Sequence, residues 1–267
     1  MRRCAQRTLR LVVGCLAAVL AGAAAGGAEP IAIGSKNFAE SRLLAEIFAQ
    51  VIEARTEIPV ERRFGLAGTQ VCFAALRGGE IDLYPEYTGT GLASILGRSP
   101  GEGRRETRAL VRREFARRWD LVWLAPLGFE NSYELAVPRA LAERLELSTL
   151  SDLARHAGEL TAGLGYEFVE RPDGLPGLRR VYGLAFADVR PMQQSLKSPA
   201  VAGGRIDVLD VYTTDGRLVT HDLVVLEDDR EFFPPYEAAA LVRRDTLDRH
   251  PAVATALALL AGAFDAA

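Results

Sequence analysis

Short apolar runs alternate with stretches of helical periodicity along this chain. Residues 31–33 are continuously apolar and predict a buried strand, whereas residues 43–52 repeat apolar side chains at steps of three and four and predict a helix. Asn37 and Glu40, just before that helix, resemble a pair that caps its N-terminus. Residues 60–64 and 81–84 predict further strands, and residues 69–77 a second helix. This β-α-β-α-β order favours a mostly parallel sheet with helices on both faces.

The second half of the chain continues in the same style. Residues 102–118 contain seven Arg and predict a helix with a solvated face and no binding role. Strands are expected at residues 121–123 and 134–137, and Pro138 is expected at the first position of a helix, where a missing N–H costs nothing. Further strands are expected near Leu160, Ile206 and Val224, and a helix from about Gly174. The chain is therefore predicted to be an α/β protein.

One short pattern occurs twice. Residues 78–83 read GGEIDL and precede Tyr87 and Thr88, while residues 203–208 read GGRIDV and precede Tyr212 and Thr213. Each tyrosine follows the first glycine of its copy by nine residues. Ligands of open α/β sheets bind beyond the carboxyl ends of the strands. The repeat therefore predicts two lobes of similar build, with Tyr87 and Tyr212 on opposite walls of one cleft.

The N-terminus has the pattern of a cleaved export signal. An apolar stretch at residues 11–20 and small residues up to Ala28 follow four basic residues: Arg2, Arg3, Arg7 and Arg10. We expect cleavage after Ala28 and a periplasmic protein without a lipid anchor, because the apolar stretch follows Cys15 and does not precede it. Without residues 1–28 the chain carries 28 basic and 35 acidic side chains, a net charge near −7. This balance argues against nucleic acid as a partner.

Motifs for catalysis or metal binding are absent from the sequence. There is no nucleophile elbow, no His-Glu-x-x-His and no phosphate-binding loop, and His156, His221 and His250 are far apart. Cys72, the one cysteine after the signal, is interpreted as a buried structural thiol. We therefore expect no enzyme, no catalytic residue, no cofactor and no metal.

The tyrosines carry more information. Four of the seven lie in loop-like contexts rich in Pro, Gly, Asn or Thr: Tyr87, Tyr133, Tyr212 and Tyr236. An electron-rich ring attracts a cation by roughly 0.5 to 2 kcal/mol. A trimethylammonium group suits a cage of such rings because it forms no hydrogen bonds and is cheap to desolvate. Each tyrosine taken alone is equally compatible with a half-buried core or turn position.

Several motifs spread over the chain match one known family. They lie at residues 34–38 (GSKNF), 68–70 (GTQ), 79–90 (GEIDLYPEYTGT), Tyr133, 167–168 (EF) with 171–174 (RPDG), 211–216 (VYTTDG), and 226–229 (LEDD) leading into 232–236 (FFPPY). In these motifs the chain resembles the glycine betaine/choline/carnitine-binding proteins of osmoprotectant ABC importers. The likeness covers nearly all residues after the signal, and the twelve-residue motif around Tyr87 is highly specific.

The resemblance implies a type II periplasmic binding protein with two lobes, each a mostly parallel sheet flanked by helices, and a ligand cleft between them. It implies a first lobe of residues 29–132 plus 237–267 and a second lobe of residues 133–236. It also implies an ammonium cage of Tyr87, Tyr133, Tyr212 and Tyr236, and a carboxylate site of Lys36, Arg171 and Thr90. Since two positive groups would repel a ligand that is only cationic, a zwitterion such as glycine betaine is expected over choline. Glycine betaine is favoured, followed by choline, proline betaine and carnitine. Family members usually continue with helical sequence beyond residues 252–261, so a terminal helix of the first lobe is expected to be lost or replaced.

By resemblance, the partners are a small quaternary amine and the permease and ATPase subunits of an ABC importer, and the protein is expected to be a monomer. Two other interpretations stay open. One is a sensory or scaffold protein on the same fold, and the other is an exported hydrolase.

Overall fold

The structure is a computed structural model that describes residues 28–98, 103–216, 218 and 222–264. The predicted export signal lies outside the described residues except for Ala28. Within the described ranges, no helix combines the length and the apolar character needed to cross a bilayer.

Two five-stranded sheets form the framework. The first has the order β2-β1-β3-β10-β4 and the second the order β7-β6-β8-β5-β9. The strands of the first sheet are β1 (Ile31–Gly34), β2 (Val60–Arg63), β3 (Leu83–Tyr87), β4 (Leu121–Trp123) and β10 (Ala238–Arg243). The strands of the second are β5 (Tyr133–Pro138), β6 (Thr161–Leu164), β7 (Asp188–Pro191), β8 (Val208–Tyr212) and β9 (Leu223–Leu226).

Helices cover both faces of each sheet. The main ones are α1 (Ala39–Arg55), α2 (Thr69–Gly78), α3 (Arg104–Trp119), α4 (Arg139–Leu145), α5 (Leu150–His156), α6 (Tyr166–Glu170), α7 (Leu175–Tyr182), α8 (Gln194–Ala202), α9 (Arg244–Arg249) and α10 (Pro251–Leu257). Short turns of helix lie at Thr88–Thr90, Gly91–Ile95, Ala157–Glu159 and Ala258–Leu260. Because side chains alternate along a strand, Ile31 and Ile33 pack with α1 while Ala32 packs with α2 and α3 on the opposite face.

The sheets are mixed, with one antiparallel strand each. In the first sheet β10 runs antiparallel to β3 and β4, and in the second sheet β5 runs antiparallel to β8 and β9. Both β5 and β10 enter their sheet directly after a crossing between the sheets, so they start at the cleft where their neighbours end. The remaining four strands of each sheet share one direction, which confirms the mostly parallel prediction and explains its exceptions.

The predicted repeat corresponds to equivalent places in the two sheets. β3 and β8 both occupy the centre, and Tyr87 and Tyr212 are their last residues. The aspartates of the two copies also act alike, since Asp82 accepts a hydrogen bond from the backbone N–H of Ala32 and Asp207 from that of Thr161. The two lobes therefore share a common plan, as the repeat predicts.

Three local predictions are wrong. The third strand begins at Leu83, because the N–H groups of Glu80 and Ile81 donate back to the Ala75 carbonyl at the end of α2. The first helix has Phe38 as its N-cap without a side-chain cap, and Glu40 turns toward the cleft. Pro138 is the N-cap of α4 and not its first residue, since it still pairs with β9.

The charged helix α3 is confirmed, but its arginines are not all free in solvent. The Nε of Arg104 lies 2.5 Å from Glu130 and the Nη1 of Arg108 lies 2.9 Å from Glu237. Glu130 and Glu237 face each other in an antiparallel bridge between the two crossing segments. Two arginines of α3 therefore pair with the carboxylates of the crossing segments. The exact lobe boundaries at residues 132–133 and 236–237 stay a prediction.

Candidate functional site

The candidate site lies between the carboxyl ends of the two central strands. β3 ends in Tyr87 and β8 ends in Tyr212, and each residue pairs with the first part of the strand that enters from the other sheet. Tyr87 is in register with Ala238, and Tyr212 is in register with Tyr133. The topology therefore brings tyrosines of both sheets to one cleft.

Five aromatic rings form a continuous row across this cleft. The ring centroid of Phe38 lies 6.3 Å from that of Tyr87 and 5.2 Å from that of Tyr212. Tyr133 lies 5.1 Å from Tyr212 and 5.9 Å from Tyr236. The structure thus brings the four predicted cage tyrosines together. It adds Phe38, which the sequence reasoning missed although it belongs to the motif at residues 34–38.

Arg171 is the centre of the polar half of the site and is only 6% exposed. Its Nε and Nη2 donate to the two oxygens of Asp173 at 2.9 and 2.6 Å, and Nη2 also donates to the Thr90 hydroxyl at 3.1 Å. Its Nη1 makes the longest bond, 3.3 Å to the Tyr133 hydroxyl. Tyr236 donates to Asp173 at 2.7 Å. Asp173 therefore fixes both the guanidinium and one ring, while Nη1 lies 4.0 Å from Glu167.

Lys36 occupies the opposite end of the row. Its Nζ lies 2.5 Å from Glu86 and 5.4 Å from the ring centroid of Tyr87, and both charged side chains are buried. Each cation of the site thus has an acidic partner, Glu86 for Lys36 and Asp173 for Arg171. The argument that two uncompensated positive groups disfavour choline is therefore wrong in its premise.

Several hydrogen bonds between described residues join the two sides of the cleft. Thr90 binds Arg171, the backbone N–H of Thr69 donates to Glu167 at 2.5 Å, and Thr214 donates to Glu40 at 2.5 Å. Thr69 begins α2, so Glu167 accepts one of the N–H groups that a helix N-terminus leaves unpaired. These contacts hold the lobes together around the aromatic row, which is the arrangement of a closed cleft.

Burial controls the ionisation of the cage. It raises the pKa of the hydroxyls of Tyr87, Tyr133, Tyr212 and Tyr236 above the ordinary value, so these groups remain neutral donors at physiological pH. Burial also raises the pKa of the Cys72 thiol to about 12, which agrees with a structural role for this free cysteine.

Two surface cavities lie away from this site. Their volumes are about 540 and 570 Å³; residues of α3 line both, and residues of β4 line only the first. Neither contains any of the seven predicted site residues. In the cleft, by contrast, the rings contact one another directly, so a ligand must separate them to enter.

The backbone at Gly89 sets the position of one ring. A Cβ at this residue would lie 2.6 Å from Cδ1 of the Tyr236 ring and 2.9 Å from the Pro235 carbonyl oxygen. Because neither group can move freely, we expect Gly89→Ala to lower the free energy of unfolding by about 1–3 kcal/mol, the usual cost of overpacking. Urea unfolding measures this loss. Gly158→Ala is the matched control, since nothing lies within 4 Å of its Cβ, and an equal stability of the two variants would contradict the packing described.

A family model and several known proteins are similar to this chain in sequence or fold. The model described as the substrate-binding domain of ABC-type glycine betaine transport systems (OpuAC) matches residues 29–267. A glycine-betaine-binding protein of Pseudomonas aeruginosa is 38% identical over 255 residues, which cover 90% of this chain and 80% of the relative. A crystal structure of a glycine betaine/carnitine/choline ABC transporter protein superposes with a TM-score of 0.68 at 30% identity and 88% coverage of both chains.

One relative is much longer than this chain. The ergothioneine transport permease/ergothioneine binding protein EgtU of Helicobacter pylori is 34% identical over 224 residues. These cover 84% of this chain but only 40% of the relative, so the similarity concerns one part of that protein.

Proposed function

Because this chain belongs to the family of substrate-binding domains of ABC-type glycine betaine transport systems, we propose that its cleft captures a zwitterionic quaternary ammonium compound, glycine betaine first. It is a substrate-binding protein of the glycine betaine, carnitine and choline type. The observation that carries the choice of ligand is the row of five rings that ends beside Arg171.

The ring row supplies the cation half of the site. A trimethylammonium group has no hydrogen to donate, so ring faces can replace its water without leaving a polar group unsatisfied. Tyr87, Tyr133, Tyr212 and Tyr236 are proposed as the cage, with Phe38 as an additional ring. The lobes must separate and close again around the ligand, since the rings contact one another in the closed cleft.

The polar half is proposed to bind the ligand carboxylate. Arg171 offers its Nη1 edge, and the Thr90 hydroxyl lies at its side. Lys36, at the Tyr87 end of the row and already paired with Glu86, is proposed only as a more distant positive charge of the site. Choline lacks a carboxylate to accept these hydrogen bonds. The preference for glycine betaine therefore rests on the charge-assisted hydrogen bonds that its carboxylate can accept and no longer on repulsion between like charges.

Transport follows from closure without any chemical step. We propose that the protein works outside the cytoplasm, in the periplasm, as a monomer whose closed form delivers the ligand to a permease driven by an ATPase. The proposed lobes are residues 29–132 with 237–267 and residues 133–236. Ligand binding would shift the population from open to closed, with the hinge at Glu130 and Glu237.

Titration calorimetry of the protein without residues 1–28 tests this function. The ligands are glycine betaine, proline betaine, carnitine, choline and ergothioneine. We expect micromolar binding of glycine betaine, which corresponds to about −8 kcal/mol, and choline binding at least about tenfold weaker. Equal or tighter choline binding would contradict the preference, and a folded protein that binds no quaternary amine would contradict the proposal. Recovery of intact betaine esters after incubation would exclude the hydrolase alternative.

A further inference from the structure

Glu40 connects three parts of the molecule at the edge of the aromatic row. Its Oε1 accepts hydrogen bonds from the Tyr87 hydroxyl and, at 2.8 Å, from the Nδ2 of Asn131. Its Oε2 accepts one from the Thr214 hydroxyl at 2.5 Å. These partners belong to the central strand of the first sheet, to the first crossing and to the loop after β8. The carboxylate is thus fixed in place, and one of its donors is a proposed cage ring.

Glu40 differs from the other carboxylates in the cleft in having no cationic partner in the described part of the chain. Glu86 pairs with Lys36, and Asp173 pairs with Arg171. Glu167 lies 4.0 Å from Arg171. For Glu40, no basic nitrogen within the described ranges lies within ion-pair distance, and its three partners are neutral. Among these four carboxylates, Glu40 is therefore the one with no cation of the described residues within ion-pair distance.

We propose that Glu40 provides the negative charge that makes this site select a permanent cation, and that it acts through the Tyr87 ring. A phenol that donates its proton to a carboxylate gains electron density, since hydrogen-bonded groups polarise one another in a low dielectric. A more electron-rich ring attracts a quaternary ammonium group more strongly. Glu40 is therefore a positioning residue whose effect depends on the ligand charge. This inference rests on the proposed function of the same cleft.

The test compares glycine betaine with 3,3-dimethylbutanoate, in which a neutral tert-butyl group replaces the trimethylammonium group. Selectivity for the positive charge is measured by a ratio, the dissociation constant of 3,3-dimethylbutanoate divided by that of glycine betaine. Glu40→Gln keeps the size of the side chain and one acceptor oxygen for the Tyr87 hydroxyl but removes the charge. We expect this variant to lower the ratio about tenfold, through weaker betaine binding, while the affinity for the anionic 3,3-dimethylbutanoate stays the same or rises.

Two further variants separate this role from a structural one. Glu46→Gln is the control, because Glu46 lies on the same helix and pairs with Arg62 away from the cleft, and its ratio should equal that of the wild type. Tyr87→Phe removes the hydroxyl that connects Glu40 to the ring. In the Tyr87→Phe background, Glu40→Gln should therefore lower the ratio much less than it does in the wild-type background.

The outcomes separate the two proposals. An unchanged ratio in Glu40→Gln, or an equal loss of both ligands, would overturn the role of Glu40 while leaving the betaine site intact. A wild-type protein that binds glycine betaine no better than 3,3-dimethylbutanoate would also overturn it. Wild-type protein that binds neither compound would contradict the proposed function, and the role of Glu40 with it.

Discussion

Replacing Arg171 with alanine is expected to weaken glycine betaine binding about a hundredfold, which corresponds to about 3 kcal/mol. The guanidinium is buried, and its Nη1 edge is the group proposed to hold the ligand carboxylate. The affinity for choline, which has no carboxylate, should fall much less. Calorimetry with both ligands measures the difference, and an equal loss for the two would contradict the assignment of Arg171 to the carboxylate.

A second variant separates binding from folding. Arg171→Ala leaves Asp173 buried without its partner, and removing one member of a buried ion pair costs about 3–5 kcal/mol of stability. Adding Asp173→Asn removes the unpaired charge, so the double variant should recover much of the thermal stability but not the betaine affinity. Arg139→Ala, which breaks only an exposed pair with Asp222, should change neither.

Replacing Tyr212 with alanine is expected to weaken glycine betaine binding about tenfold or more, because a ring in contact with Phe38 and Tyr133 is lost. Tyr212→Phe keeps the ring face and should bind within about threefold of the wild type. Tyr212 is half-buried, so its truncation disturbs the fold less than truncation of a fully buried ring.

The matched control for this prediction is Tyr166→Ala. Tyr166 lies on α6 in the second lobe, and its side chain is exposed outside the ring row. Its removal should leave the dissociation constant unchanged. If Tyr212→Ala binds glycine betaine as tightly as the Tyr166 variant does, the ring row is not the cation site.

The sequence predicts the α/β framework well because its signals are local. Apolar periodicity places α1, β1 and β2, and the repeat places Tyr87 and Tyr212 at the ends of central strands. The direction of β5 and β10 is not local information. It follows from the chain crossing between sheets, which no short pattern encodes.

The site is predicted only in part, for a physical reason. The resemblance names the cage tyrosines and Arg171, but it does not name the acids that neutralise the two cations. Glu86 lies 50 residues from Lys36, so this pairing depends on the fold. Asp173 lies two residues after Arg171 in the RPDG motif, so its pairing with Arg171 could have been inferred from their proximity in sequence.

Glu40 is the most instructive error. A glutamate three residues after an asparagine, before an apolar helix face, has the spacing of a capping pair. In the fold, donors from the cleft reach its carboxylate, and the helix N-terminus is left without a side-chain cap. A local rule fails here because the residue takes part in the site, which is where such conflicts are expected.

A crystal structure of the protein grown with glycine betaine tests the central claim most directly. The predicted result is trimethylammonium density enclosed by Tyr87, Tyr133, Tyr212 and Tyr236, with the ligand carboxylate directed to Arg171 and Thr90. Ligand density outside the cleft, or a carboxylate that points away from Arg171, would contradict the account.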